Sequence, residues 1–140
     1  MYRLYDEYIG REFSVDYWSD EGISHAALIL VKFTDSDWEI LAKLCLSKPE
    51  KWGIRCAETL GDIEDAKAFM VLLQLLKSVS ADVRVAVLDS IRSLMTRGTD
   101  ISAHVQEISD AVIQIRASES VDHVVNLVLT SLEKKLVHMP

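Results

Sequence analysis

Glycine and proline are scarce: 140 residues hold five of the first and two of the second. That leaves too little turn chemistry for a fold of many short strands, whereas the Leu, Ala, Lys and Glu content favours helix. Cysteine occurs twice, at Cys45 and Cys56, in a spacing that matches no zinc or redox motif. Two helix-buried thiols are the simpler expectation over a disulfide. Long apolar runs are missing too. The longest, Ala26 to Val31, falls far short of the ~20 residues a membrane helix needs, and no basic stretch leads into an apolar one as in a signal peptide. A cytoplasmic protein without a membrane partner is expected. Positive charge is also short, with 22 acids against 15 Lys and Arg and a net charge of −7. Phosphate backbones demand cations, so nucleic acid is not the expected partner. An acidic balance suits a basic protein, though solubility alone also accounts for it.

What is present fits one domain over 1–140, in three parts. The first, 1–21, holds Tyr2, Tyr5, Tyr8, Phe13, Tyr17 and Trp18, six of the ten aromatics in the chain. It also concentrates acids: Asp6, Glu7, Glu12, Asp16, Asp20 and Glu21 face only Arg3 and Arg11. Tyr5, Tyr8 and Ile9 lie at helical spacing, which predicts a short amphipathic helix capping the rest. The aromatics then either cover the open end of the core or offer anchors to a cationic protein.

The second part, 22–97, repeats faintly at a period of 31 residues. Trp38, Leu41, Leu44, Ser47, Trp52, Cys56, Thr59 and Leu60 recur as Phe69, Leu72, Leu75, Ser78, Val83, Val87, Ser90 and Ile91. A fixed period of this kind marks a copied supersecondary unit that buries its apolar face by stacking on its neighbour. Along it, Ile23 to Phe33 reads as a buried helix. Ser36 and Glu39 form a capping box for a helix running to Lys48, ahead of Pro49. The next helix ends near Gly61, with Trp52, Cys56, Thr59 and Leu60 inward and Lys51, Arg55, Glu58 and Asp62 on a wet face. Asp65 to Ser78 is apolar almost all round, and Val83 to Thr96 carries Val83, Ala86, Val87, Ile91 and Leu94 inward until Gly98 stops it. The third part, 98–140, reads as a helix pair. One stripe is Ile101, Val105, Ile108, Val112 and Ile115; the other is Val121, Val124, Val128, Leu132 and Leu136. Val124, Val128 and Leu132 echo Val83, Val87 and Ile91 at an offset of 41.

The stretch SADVRVAVLDSIRSL, with Asp82, Val83, Arg84, Val87, Ser90 and Ile91, resembles the second helix of a HEAT-type repeat. EKWGIRCAETLGDI resembles the same helix, with Trp52 in place of the Val and a closing Leu60-Gly61-Asp62. The resemblance implies an all-α fold of stacked antiparallel helix pairs, a HEAT-like α-solenoid of about six to seven helices. It further implies a ladder of Asp and Arg side chains between repeats in which Arg84 takes part, while Arg55 sits three places off the equivalent position. The aromatic and acidic front, Trp38 at a helix start and WGIRCAETL also resemble small helical immunity proteins of bacterial polymorphic toxin and contact-dependent growth inhibition systems. That resemblance implies a stoichiometric, enzymatically inert inhibitor that blocks a toxin's active site.

No catalytic constellation is legible, so an enzyme is not expected. His25, His104, His123 and His138 are scattered singly. His104 and Glu107 share a helix face but make no expected metal site. No phosphate loop or nucleophile elbow occurs. We therefore expect no catalytic residue, cofactor, metal or small-molecule substrate, and a basic, nuclease-type toxin domain as partner. The expected contact surfaces are the front, with Asp16, Tyr17, Trp18, Asp20 and Glu21, and the inter-repeat turn, with Asp62, Glu64 and Asp65. The turn acids are equally explained as helix caps. A generic HEAT-like adaptor or assembly factor stays open on the same residues. So, less favoured, does a nucleic-acid or DNA-glycosylase module using Lys43, Lys48, Lys51 and Arg55.

Overall fold

The computed structural model describes residues 1–118 and 121–139, and within them the chain is all-helical. The helices are α1 (Tyr2–Ile9), α2 (Val15–Tyr17), α3 (Ile23–Val31), α4 (Asp35–Leu44), α5 (Glu50–Leu60), α6 (Ala66–Leu75), α7 (Ala81–Thr96), α8 (Val105–Ala117) and α9 (His123–Val137). A π-helical turn, Trp18–Gly22, fuses α2 and α3 into one rod, so eight helical rods stand where six to seven were expected. The surplus comes from the front, which folds as two helical pieces. Gly22 is required in the rod, since a Cβ there would lie 2.4 Å from the Trp18 ring.

Helix boundaries repeat with the sequence. α4 and α6 begin and end 31 residues apart, as do the starts of α5 and α7. Their N-caps, Thr34 with Asp65 and Pro49 with Ser80, keep the same interval. Equivalent helices then lie side by side, α4 on α6 and α5 on α7. The row extends from α3 through α5 and α7 to α9, while α1 closes its start against α3, α4 and α5. The paired positions share burial: Trp38 and Phe69, Leu41 and Leu72, Trp52 and Val83, Cys56 and Val87, and Leu60 and Ile91 are all in the core. Gly61 marks the closest approach of α5 to α7, where a Cβ would sit 2.5 Å from Ser90. Ser90 itself donates to the Ala57 carbonyl at 2.7 Å.

Several local expectations are corrected. The capping box is Thr34 with Asp37, not Ser36 with Glu39. Asp37 also accepts the Tyr2 amide at 3.0 Å and lies 3.5 Å from the N-terminal ammonium, so tertiary contacts chose between two overlapping cap sequences. α4 stops at Leu44 and tightens into a 3-10 turn over Cys45–Ser47, short of Lys48. α3 is buried on one side only, with Leu28 and Val31 exposed. Arg84 joins no Asp ladder; its Nη1 donates to the Ser78 carbonyl. In α9 the inward stripe is Val125, Leu129, Leu132 and Leu136, one residue later than expected, and Val124 is exposed. Its N-cap Asp122 lies 42 residues after Ser80. The expected third part spans residues 119, 120 and 140, which lie outside the described residues. Gly98 ends α7 as expected, in left-handed geometry (φ 97°), with Thr99 donating back to the Leu94 carbonyl.

Candidate protein-binding surfaces

The front segment is built around a buried cation. Arg55, expected on a wet face, is 6% exposed. Its Nη1 donates to the Ile9 carbonyl at 2.9 Å and the Arg11 carbonyl at 2.5 Å, holding the end of α1 and the loop after it. Its guanidinium lies 5.1 Å from the Phe13 ring centre and 5.2 Å from that of Trp18, and Phe13 stacks on both Trp18 and Tyr17. A planar, weakly hydrated guanidinium suits such an aromatic layer better than an ammonium. A cue lay in the spacing, because 52, 55, 56, 59 and 60 form one helical stripe that includes Arg55.

Trp18 is therefore a correction. At 7% exposure it is a core residue, not a free anchor. Its indole N–H donates to Glu58 at 3.2 Å, tying the rod to α5. Burial raises the Glu58 pKa; the Trp18 bond and Arg55 oppose that, and Asp89 adds to it. Tyr17 stays partly exposed at the rim, its hydroxyl 3.1 Å from that of Tyr8. Burial, then the Tyr17 hydroxyl, pushes Tyr8 up to about 12. Asp16, Asp20 and Glu21 are exposed around this layer. Tyr2, Tyr5 and Tyr8 are buried, so most front aromatics cover the core. Tyr5 bonds Thr59 at 2.6 Å and meets Trp52 edge-on, while the Trp52 indole donates to Asp6 at 3.0 Å.

At the inter-repeat turn Asp62, Glu64 and Asp65 are all exposed, with different duties. Asp65 caps α6, accepting from the Lys67 amide at 2.7 Å and that of Ala68 at 3.4 Å. Glu64 lies 4.0 Å from Arg97, whose other end donates to the Gly61 carbonyl. Sequence reasoning missed what lies beside this turn. Between α4 and α6 an apolar depression of about 560 Å³ is lined by Trp38, Ala42, Met70 and Val71, with Asp35, Glu39 and Lys67 also on its wall. Across α6 a second one, about 410 Å³, lies against the α7–α8 connection, where Phe69 and Leu94 meet Glu64, Asp65, Asp100 and His104. Ala66 and Met70 belong to both.

Little in the molecule is poised for chemistry. Among the described residues no group of three or more His, Cys, Asp or Glu is placed to hold a metal. His104 faces Glu107 alone, at 3.5 Å. Cys45 and Cys56 are free and buried; burial lifts the Cys45 thiol to about 11 and Cys56 further still, disfavouring thiolate. No described helix is long and apolar enough to cross a membrane. Comparison with protein-family models, curated proteins and solved structures gives no match for this chain.

Proposed function

We propose that this protein is a non-enzymatic binding protein on a HEAT-like stack of helix pairs, and specifically an immunity-type inhibitor that occludes the active site of a basic, nuclease-type toxin domain. The fold reading is supported by helix boundaries and N-caps that recur at 31 residues, with equivalent helices packed side by side. The functional reading is carried by one observation. Around the front and the inter-repeat turn, Asp16, Asp20, Glu21, Asp62 and Glu64 point to solvent, while Arg55 is turned inward and consumed by carbonyls and rings. Such a surface presents carboxylates where a cationic cleft expects phosphates, steering encounter and rejecting other partners.

The test is coexpression with the product of the neighbouring gene. A toxin domain that kills cells alone should be harmless with this protein present, and the two should purify as a stoichiometric complex. Protection at far less than one equivalent would indicate turnover and overturn the inhibitor reading. A tight complex with a harmless partner would make the protein an adaptor.

A further inference from the structure

We infer that the furrow crossing α6, from the α4 side to the α7–α8 connection, docks a cationic amphipathic helix presented by the partner. This rests on the reading above that the partner is basic. The furrow has an apolar floor and an acidic border. Trp38 and Phe69 are nearly buried beneath it, and Met70, 54% exposed, forms with Ala66 a low ridge common to both halves. Ala66 and Met70 lie one helical turn apart, so an incoming apolar stripe meets a small residue and then a pliant one.

Charge selects the occupant. The two halves carry five carboxylates, from Asp35, Glu39, Glu64, Asp65 and Asp100, against a single lysine. That lysine, Lys67, is already paired with Asp35. Hydrogen bonds from Ser102 lower the Asp100 pKa, so it stays ionised at neutral pH. An apolar seat with such a border fits a helix whose Leu-like face is flanked by Lys or Arg, the helix-in-groove mode of recognition. An anionic helix, or nucleic acid, is rejected by the same carboxylates.

The experiment uses the full chain and a fluorescein-labelled synthetic peptide about 18 residues long, with Leu on one helical face and Lys elsewhere. Its Glu counterpart serves as control. Two substitutions add the same charge at exposed apolar sites: Met70→Lys in the furrow and Val79→Lys on the loop before α7, where Val79 is 99% exposed. Far-UV circular dichroism establishes that both fold. Binding of the Lys peptide should weaken by at least about tenfold in Met70→Lys and change little in Val79→Lys, as expected for a central contact against a remote one. The Glu peptide should not bind. Equal weakening in both variants would mean that the peptide follows net charge alone, and would overturn the site. So would a parent dimer that Met70→Lys dissociates, which would place a second copy in the furrow. If the furrow fails while a basic toxin is still neutralised, docking belongs to the front segment and the inhibitor reading stands. If peptide docking succeeds and no basic partner is neutralised, only the inhibitor reading falls.

Discussion

Arg55 and Glu58 lie one turn apart on α5 and carry opposite thermodynamic signs. Arg55 supplies the donor that two carbonyls of the front segment need, and aromatic faces cover the rest of its plane. Arg55→Ala strands those acceptors at about 1–3 kcal/mol for a buried group. We expect a loss of about 3 kcal/mol by urea titration; a neutral result would show that this contact does not hold the front to α5. Glu58 has a raised pKa in the fold, mainly through burial, so the native state binds its proton more tightly than the unfolded chain. That linkage stabilises below the ordinary glutamate range and is lost as pH rises through the folded value. Glu58→Gln keeps an acceptor for the Trp18 indole and removes the charge. The variant should therefore gain stability relative to the parent as pH rises from about 4 to about 7. A parent that gained instead would mean that attraction to Arg55 outweighs burial.

At the scale of elements the seam between α5 and α7 is the tightest in the molecule and the best place to test stacking. Gly61→Ala drives a methyl into Ser90, which sits on a helix backbone and cannot swing away. Overpacking of this kind costs about 1–3 kcal/mol. The cost should shrink in a Ser90→Gly background, and additivity across that double-mutant cycle would deny the contact. Trp52→Ala and Leu73→Ala empty the core on α5 and α6, and each should cost about 2–5 kcal/mol. The stacked pairs were legible in the chain because large and small residues recur at one interval, and interval is what a copied unit preserves. Registers were less legible where the sequence offers two equal choices. Val124-Val125 and Val128-Leu129 allow two interleaved stripes, and only packing on α7 selects Val125 and Leu129. Thr34 and Ser36 offer two capping boxes, and the contact of Asp37 with the start of α1 selects the first. At the candidate site, exposed acids could be read directly, since charge seldom buries. Trp18 misled because an aromatic near carboxylates reads alike on a surface and over a core. The furrow was illegible because its walls come from α4, α6 and the α7–α8 connection, which only folding brings together.

Across the whole molecule a net charge of −7 on a small chain means that a basic partner is attracted before any side chain touches it. The attraction is screened within about 8 Å at physiological ionic strength, so it acts on encounter more than on the docked complex. This separates two sets of residues kinetically. Asp62 and Glu64 are exposed acids whose neutralisation leaves the core intact, whereas Asp65 caps α6 and cannot serve as a clean probe. Asp62→Asn with Glu64→Gln should lower the association rate of a basic toxin domain and flatten its salt dependence, leaving dissociation nearly unchanged. Tyr17, half out of the aromatic layer, is the front residue able to act as an anchor, and Tyr17→Ala should quicken dissociation instead. Trp18→Ala belongs to neither set, because the buried indole reports on stability. Stopped-flow binding across a salt series distinguishes these outcomes. An association rate indifferent both to salt and to the two neutralised acids would remove electrostatic steering and leave apolar docking along α6 as the source of recognition.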